Sequence, residues 1–203
     1  MTDIKSIVSK VSLVILSVFL TQTLRANDES LIHDLAKEVM LGNGLPAKNA
    51  IYKLARDSSV FSIQDQQYVA RFLSAQLYHR TQFKRRAAAQ ALGEMGKSAF
   101  GVRGDLFEVM KGLNEDTAAF AVNSLWKIMG ADDELLDQLI QFLENYSLKA
   151  DSTKRSSFAV YDALDILRRF DKRNREVIAI CQRYSTSADF LIANLAKEIL
   201  SKR

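Results

Sequence analysis

The residues able to do chemistry are few and scattered. His33 and His79 are the only histidines, and Cys181 is the only cysteine, in 203 residues. A metal centre or an acid–base pair needs such groups at converging spacings. His33 shares a helical face with Lys37, which repels a cation, and His79 has no ligand-type residue three or four positions away. The chain has no H-E-x-x-H, no cysteine pair, no P-loop and no G-x-S-x-G. Ser124-Leu125-Trp126-Lys127 spells the S-x-x-K string of penicillin-binding enzymes, but the companion S-D-N and K-T-G strings are missing. Asp132-Asp133-Glu134 stand immediately before an apolar helical run. Acidic residues there complement a helix dipole and cap free N–H groups, so they read as a cap rather than a metal cluster. Cys181 falls in the apolar pattern Val177, Ile178, Ile180, Tyr184 and reads as a small core residue.

Two basic clusters remain: Arg80, Lys84, Arg85, Arg86, and Arg168, Arg169, Lys172, Arg173, Arg175. Each could receive an anion or an acidic partner, with Arg85 and Arg173 as the residues that would carry it. The aromatic residues fall at core spacing rather than as the stacking series a nucleic-acid groove requires, and the formal charge is only +4. The expectation is therefore no catalysis, no metal, no cofactor and no nucleic acid.

The elements that position these residues are helical throughout. Leu31, Ile32, Leu35, Ala36, Val39 and Met40 recur at i, i+3, i+4 spacing, with Ser30 as a candidate cap and Gly42-Asn43-Gly44 as the stop. Pro46, the only proline, suits the first turn of the next helix, through Ile51, Leu54 and Ala55, and Asp57-Ser58-Ser59 breaks it. Val69, Phe72, Leu73 and Leu77 mark a third. No strand alternation or hairpin dipeptide appears, which makes the fold class all-α.

Beyond residue 80 the helices repeat. Ala91-Leu92-Gly93-Glu94-Met95-Gly96 aligns with Ser124-Leu125-Trp126-Lys127-Ile128-Met129, and Phe158-Ala159-Val160 with Phe120-Ala121-Val122. Ala163 to Leu167 and Asn194 to Ile199 continue the series. Second helices lie between: Val102 to Leu113, Leu135 to Leu143, Val177 to Cys181. Equivalent leucines are about 31 to 39 residues apart, the range of two-helix repeats. This order predicts an alpha–alpha superhelix with Ala88, Leu92, Leu106, Leu125, Leu139, Leu164 and Leu195 in its core. The polar stretch Ser147 to Ser157 reads as a solvated connection.

Arg85 and Arg86, Ala87 to Ala89, Ala91-Leu92-Gly93 and Gly96 resemble the HEAT-like repeats of the phycobilisome-lyase type, most closely over residues 83–130. Asn114-Glu115-Asp116 resembles the acidic turn that opens the next unit of that family. Later units depart from the pattern, with Trp126 at the glycine position and Ala118 or Ala119 at the arginine position. The resemblance implies a solenoid of stacked helix pairs that works by binding.

The N-terminus reads as an export signal. Lys5 and Lys10 precede the apolar run Val11 to Leu20, and Thr21 to Ala26 form a polar exit ending in a small residue. The run is short for a membrane span. Three of the 28 basic residues and one of the 24 acidic residues lie in 1–26, so the remainder is nearer neutrality. The organisation expected is a signal peptide over 1–26, a helical cap or degenerate repeats over 27–80, and HEAT-like repeats over 81–203, continuous with 27–80. The expected product is an exported, periplasmic or secreted protein-binding module or scaffold, with no stable membrane insertion once the signal is cleaved. A periplasmic immunity protein blocking a toxic enzyme is the alternative; a HEAT-like enzyme or nucleic-acid binder ranks below both. The second helix of each pair is expected to line the inward-curved face. Its polar positions supply the candidate binding residues Glu108, Gln138, Gln141 and Arg183, beside Arg85 and Arg173.

Overall fold

The computed structural model describes residues 28–112, 115–149, 158–170 and 174–201, and every regular element among them is a helix. Helix α1 spans 28–41. It is followed by α2 (Leu45–Asp57), α3 (Ile63–Gln76), α4 (Gln82–Met95), α5 (Arg103–Lys111), α6 (Glu115–Met129), α7 (Asp133–Lys149), α8 (Phe158–Leu167), α9 (Arg175–Tyr184) and α10 (Phe190–Ser201). A 3-10 turn, Ser58–Val60, follows α2, and a longer 3-10 segment, Gly96–Val102, joins α4 to α5.

Local chemistry sets the ends. Gly44 opens α2 with φ 62° and Pro46 sits in its first turn. The Ser62 hydroxyl accepts from the Asp65 N–H at the start of α3. Asp132 accepts from the Glu134 N–H at 2.9 Å, so the acidic triplet caps α7 as the sequence implies. Asn174 caps α9 through the Glu176 and Val177 N–H groups. Ser30 is no cap, because 28 and 29 are already helical. α7 runs on to Lys149, so the polar stretch that starts at Ser147 begins as helix.

The helices stack in two rows. α2, α4, α6, α8 and α10 follow one another in the first row; α3, the 3-10 segment with α5, α7 and α9 form the second. The core lies between the rows. All seven predicted core residues are buried, from Ala88 through Leu195, and Cys181 is buried among them. The chain is an all-helical solenoid.

The rows are spaced differently. The first row is built from alanines: Ala87, Ala88, Ala89 and Ala91 on α4, Ala118, Ala119 and Ala121 on α6, Ala159 and Ala163 on α8, all buried. At Gly93 the approach is nearly backbone to backbone, since a Cβ there would lie 2.6 Å from Ser124 Oγ and 2.9 Å from its Cα. The Ser124 hydroxyl reaches across α4 to donate to the Ala89 carbonyl at 2.7 Å. The second row is spanned by long side chains. Arg103 reaches Glu134 at 2.9 Å from α5 to α7, and the Tyr184 hydroxyl reaches the Leu143 carbonyl at 2.8 Å from α9 to α7. Small residues thus concentrate on the first helices, and longer side chains bridge the second.

The glycine that closes α4 has a counterpart after α6. Gly96 ends α4 with φ 56°, and Gly130 follows α6 with φ 68°. The sequence alignment paired Gly96 with Met129; the true counterpart is one residue later, because α6 is 15 residues long against 14 for α4. Left-handed backbone favours glycine at both.

Two glycine substitutions should move stability in opposite directions. Gly93→Ala gains about 1 kcal/mol of helix propensity, but drives a methyl into Ser124 at an overpacking cost on the order of 1–3 kcal/mol. Gly104, within α5, has nothing within 4 Å of an added Cβ. Gly104→Ala should therefore stabilise by about 0.4–1 kcal/mol. Thermal melts of the two variants check both signs.

Candidate interaction surface

Most polar side chains that look available in sequence are engaged in holding the stack together. Lys84 is only 3% exposed, and its Nζ donates to the Val39 carbonyl at 2.7 Å. Val39 lies in the last turn of α1, so this cation meets the negative end of a helix and fastens α1 to α4. Arg85 donates from NH1 to the His79 and Arg80 carbonyls, both at 2.9 Å. The first basic cluster thus faces peptide carbonyls more than solvent. His79 accepts from the Thr81 N–H at 3.0 Å. Its pKa is lowered by burial first, then by Lys84, Arg80 and Arg85, which favours the neutral ring that this bond requires.

The other polar ties join neighbouring repeats. Tyr52 on α2 donates to Gln90 on α4 at 2.7 Å. Asn123 on α6 donates to Asp162 on α8 at 2.6 Å. Arg168, just past α8, pairs with Asp165 and reaches Glu198 on α10 at 3.3 Å. Arg169 pairs with Asp165 at 3.0 Å, and its guanidinium lies 5.2 Å from the Trp126 ring centre. Trp126 in turn meets the Phe170 ring edge-on at 5.8 Å. The position that is glycine in α4 is thus filled in α6 by an indole that packs toward the end of the next repeat. In the second row, Ser74 on α3 donates to the Asp105 carboxylate on α5, and Tyr78 reaches the same group at 3.3 Å.

The residues that the sequence singles out for binding divide accordingly. Glu108 on α5, Gln141 on α7 and Arg183 on α9 are exposed on the second row. Gln138 is half-buried, and its Oε1 is enclosed without a hydrogen-bond partner. Arg85 is occupied as described, and Arg173 lies outside the described residues. Asp105, one helical turn from Glu108, is committed to α3. Among the described residues no group of three His, Cys, Asp or Glu side chains is placed to hold a metal ion, and no helix is long and apolar enough to cross a membrane. The export signal lies outside the described residues.

Sequence reasoning missed two surface features. On the first row, one stripe of α4 (Phe83, Arg86, Gln90, Glu94) and the α6 pair Asn123 and Lys127 stay out of the core at i, i+3, i+4 steps. Helical spacing could have found them. On the second row, a cleft of about 340 Å³ opens between α3 and the 3-10 segment, with Arg71, Lys97 and Phe100 on its walls. The irregular backbone on one side of it carries no periodic signal.

No protein-family model matches the chain, and no curated protein matches it. Among solved structures, the crystal structure of an engineered protein is similar with a TM-score of 0.55 and 16% identity, covering 84% of this chain and 78% of that one. A designed armadillo repeat protein reaches a TM-score of 0.43 at 11% identity, covering 83% of this chain and 98% of that one. The likeness to the engineered protein is one of fold alone.

Asp162 offers a test of these ties. Burial is the largest influence and raises its carboxyl above the ordinary value; the Asn123 hydrogen bond opposes the rise and Asp165 adds to it. A carboxyl with a raised folded-state pKa stabilises the fold while protonated and loses that contribution as pH rises through the folded value. Asp162→Asn keeps an acceptor for Asn123 and removes the charge. The variant should melt above the wild type at neutral pH, and the difference should vanish as pH falls through the carboxylate range. Melting curves across that range check the sign.

Proposed function

We propose that this chain is an exported helical-repeat protein of HEAT-like type that docks a protein partner on its second-helix row, without catalysis, metal or cofactor. The observation that carries the reading is the use of the polar side chains. Tyr52, Lys84, Asn123, Ser124 and Asp105 each tie one helix to another. What remains toward solvent is a long row of polar and apolar positions rather than a converging set of reactive groups, and such a surface suits recognition. Two serines among the described residues donate to a carboxylate: Ser62, which caps α3, to Asp65, and Ser74, 5% exposed, to Asp105; neither bond has an imidazole in it, so neither serine resembles an activated nucleophile. The arginine–alanine–glycine pattern of α4 supports the HEAT-like type. The order Lys5, Lys10, Val11 to Leu20, Ala26 supports export. Under this reading the second row is the docking face because Glu108, Gln141 and Arg183 stand exposed along it on three successive helices. A periplasmic inhibitor of a toxic enzyme and an envelope scaffold would both use such a face, and the identity of the captured partner separates them.

The test starts from protein recovered from its host, whose first residue should lie near Asn27 by mass spectrometry. Glu108→Lys combined with Gln141→Lys should weaken partner capture while shifting stability by about 0.5 kcal/mol or less, as exposed substitutions do. Phe83→Ala with Tyr161→Ala, on the first row, should leave capture intact. If the first-row pair abolishes capture and the second-row pair does not, the face is wrong. Turnover of a small substrate without any partner defeats the binding reading.

A further inference from the structure

The cleft between α3 and the 3-10 segment differs from the rest of the surface in its charge. Its walls are Ile63, Gln66 and Arg71 on α3, and Lys97, Phe100 and Gly101 on the segment, with no acidic residue lining it. Arg71 and Lys97 are both exposed, and neither has an ion-pair or hydrogen-bond partner among the described residues. Elsewhere on the stack Arg103 is answered by Glu134, and Arg168 and Arg169 by Asp165. The open depression on the first row shows the contrast, since Lys53 and Arg56 there share their walls with Glu94.

The cleft is also apolar at its rim and fixed at its floor. Ile63 is 74% exposed and Phe100 42% exposed, on opposite walls. Exposed apolar groups gathered at one place mark interaction sites more than singly scattered ones do. Gln66 is held from both ends: its Nε2 donates to the Phe61 carbonyl at 3.0 Å and its Oε1 accepts from Ser98 at 2.6 Å. The Arg103 guanidinium lies 4.2 Å from the Phe100 ring centre and fixes that ring. A fixed floor reduces the ordering cost of binding.

We propose that this cleft is the docking point for an acidic peptide segment of the partner. A carboxylate side chain of that segment sits between Arg71 and Lys97, and a neighbouring apolar side chain rests on Ile63 and Phe100. Two unanswered cations in a site without acids select an anion. The apolar rim selects an anion with a hydrophobic neighbour over a bare phosphate or a nucleic-acid backbone, which would call for a longer run of cations and no rim. This inference rests on the protein-binding reading above and assigns a partner chemistry to the second-helix row.

The experiment selects from a displayed random-peptide library with the intact recovered protein. Aspartate or glutamate beside a large apolar residue should be enriched. A selected peptide titrated into isotopically labelled protein should shift the amide resonances of Phe100 and Gly101. Arg71→Glu with Lys97→Glu should weaken that peptide about tenfold or more, and Phe100→Ala should weaken it separately, with melting temperatures unchanged because all three side chains are exposed. Selected peptides without acidic enrichment, or acidic peptides indifferent to both charge reversals, overturn the proposal. So does displacement of the peptide by inorganic phosphate or by phosphatidylglycerol vesicles at equal concentration, which would assign the cleft to a phosphate group. A protein partner captured as well by the Arg71→Glu, Lys97→Glu variant as by the wild type overturns the cleft and leaves the binding reading standing.

Discussion

The rest of the structure depends on how closely α4 and α6 approach. Gly93 has no side chain, and the space a Cβ would take is filled by Ser124. The Ser124 hydroxyl then donates to the Ala89 carbonyl on the helix it touches. That contact sets the spacing of the first row at its centre, and the flanking alanines let α2 and α8 follow it on either side. The second helices bury larger side chains, Phe107, Met110, Phe142 and Tyr184, which complement the alanines of the first row at the near-constant density of a protein interior.

The polar chemistry of the chain follows from the same arrangement. A solenoid touches itself only between neighbouring repeats, and each junction carries its own polar tie. Tyr52 meets Gln90, Asn123 meets Asp162, Arg168 meets Glu198, Ser74 meets Asp105 and Tyr184 meets the Leu143 carbonyl. These bonds join sequence positions far apart and fix register where alanines alone would slide. Burial raises the Tyr184 hydroxyl pKa strongly, which keeps it protonated as the donor that its bond requires. Residues used this way hold one repeat to the next.

Much of the fold was legible in the residue pattern. The 3.6-residue periodicity of Leu92, Leu125, Leu139 and Leu164 marks the core because burial of one helix stripe is what drives the pattern. The acidic residues before α7 were readable as a cap for the same kind of local reason. Three things were not readable. Lys84 looked like part of a surface cluster, and only the position of α1 shows that it ends on the Val39 carbonyl. Met129 looked like a lost closing glycine opposite Gly96, yet α6 keeps that glycine one residue later, at Gly130, while the Trp126 indole that stands at the Gly93 position turns to Phe170. The cleft beside Arg71 depends on a 3-10 segment, Gly96–Val102, whose residues show no period. Local pattern reports local structure; these features come from contacts between distant segments.

Native-state hydrogen exchange tests most directly whether the α4–α6 junction holds the stack. The slowest-exchanging amides should cluster in α4 and α6, with protection declining outward through α2 and α8 to α10, because repeats open from their ends when one central contact is the tightest. Slowest exchange in α9 and α10, with α4 and α6 opening earlier, would contradict the account, since the stack would then be held from its far end.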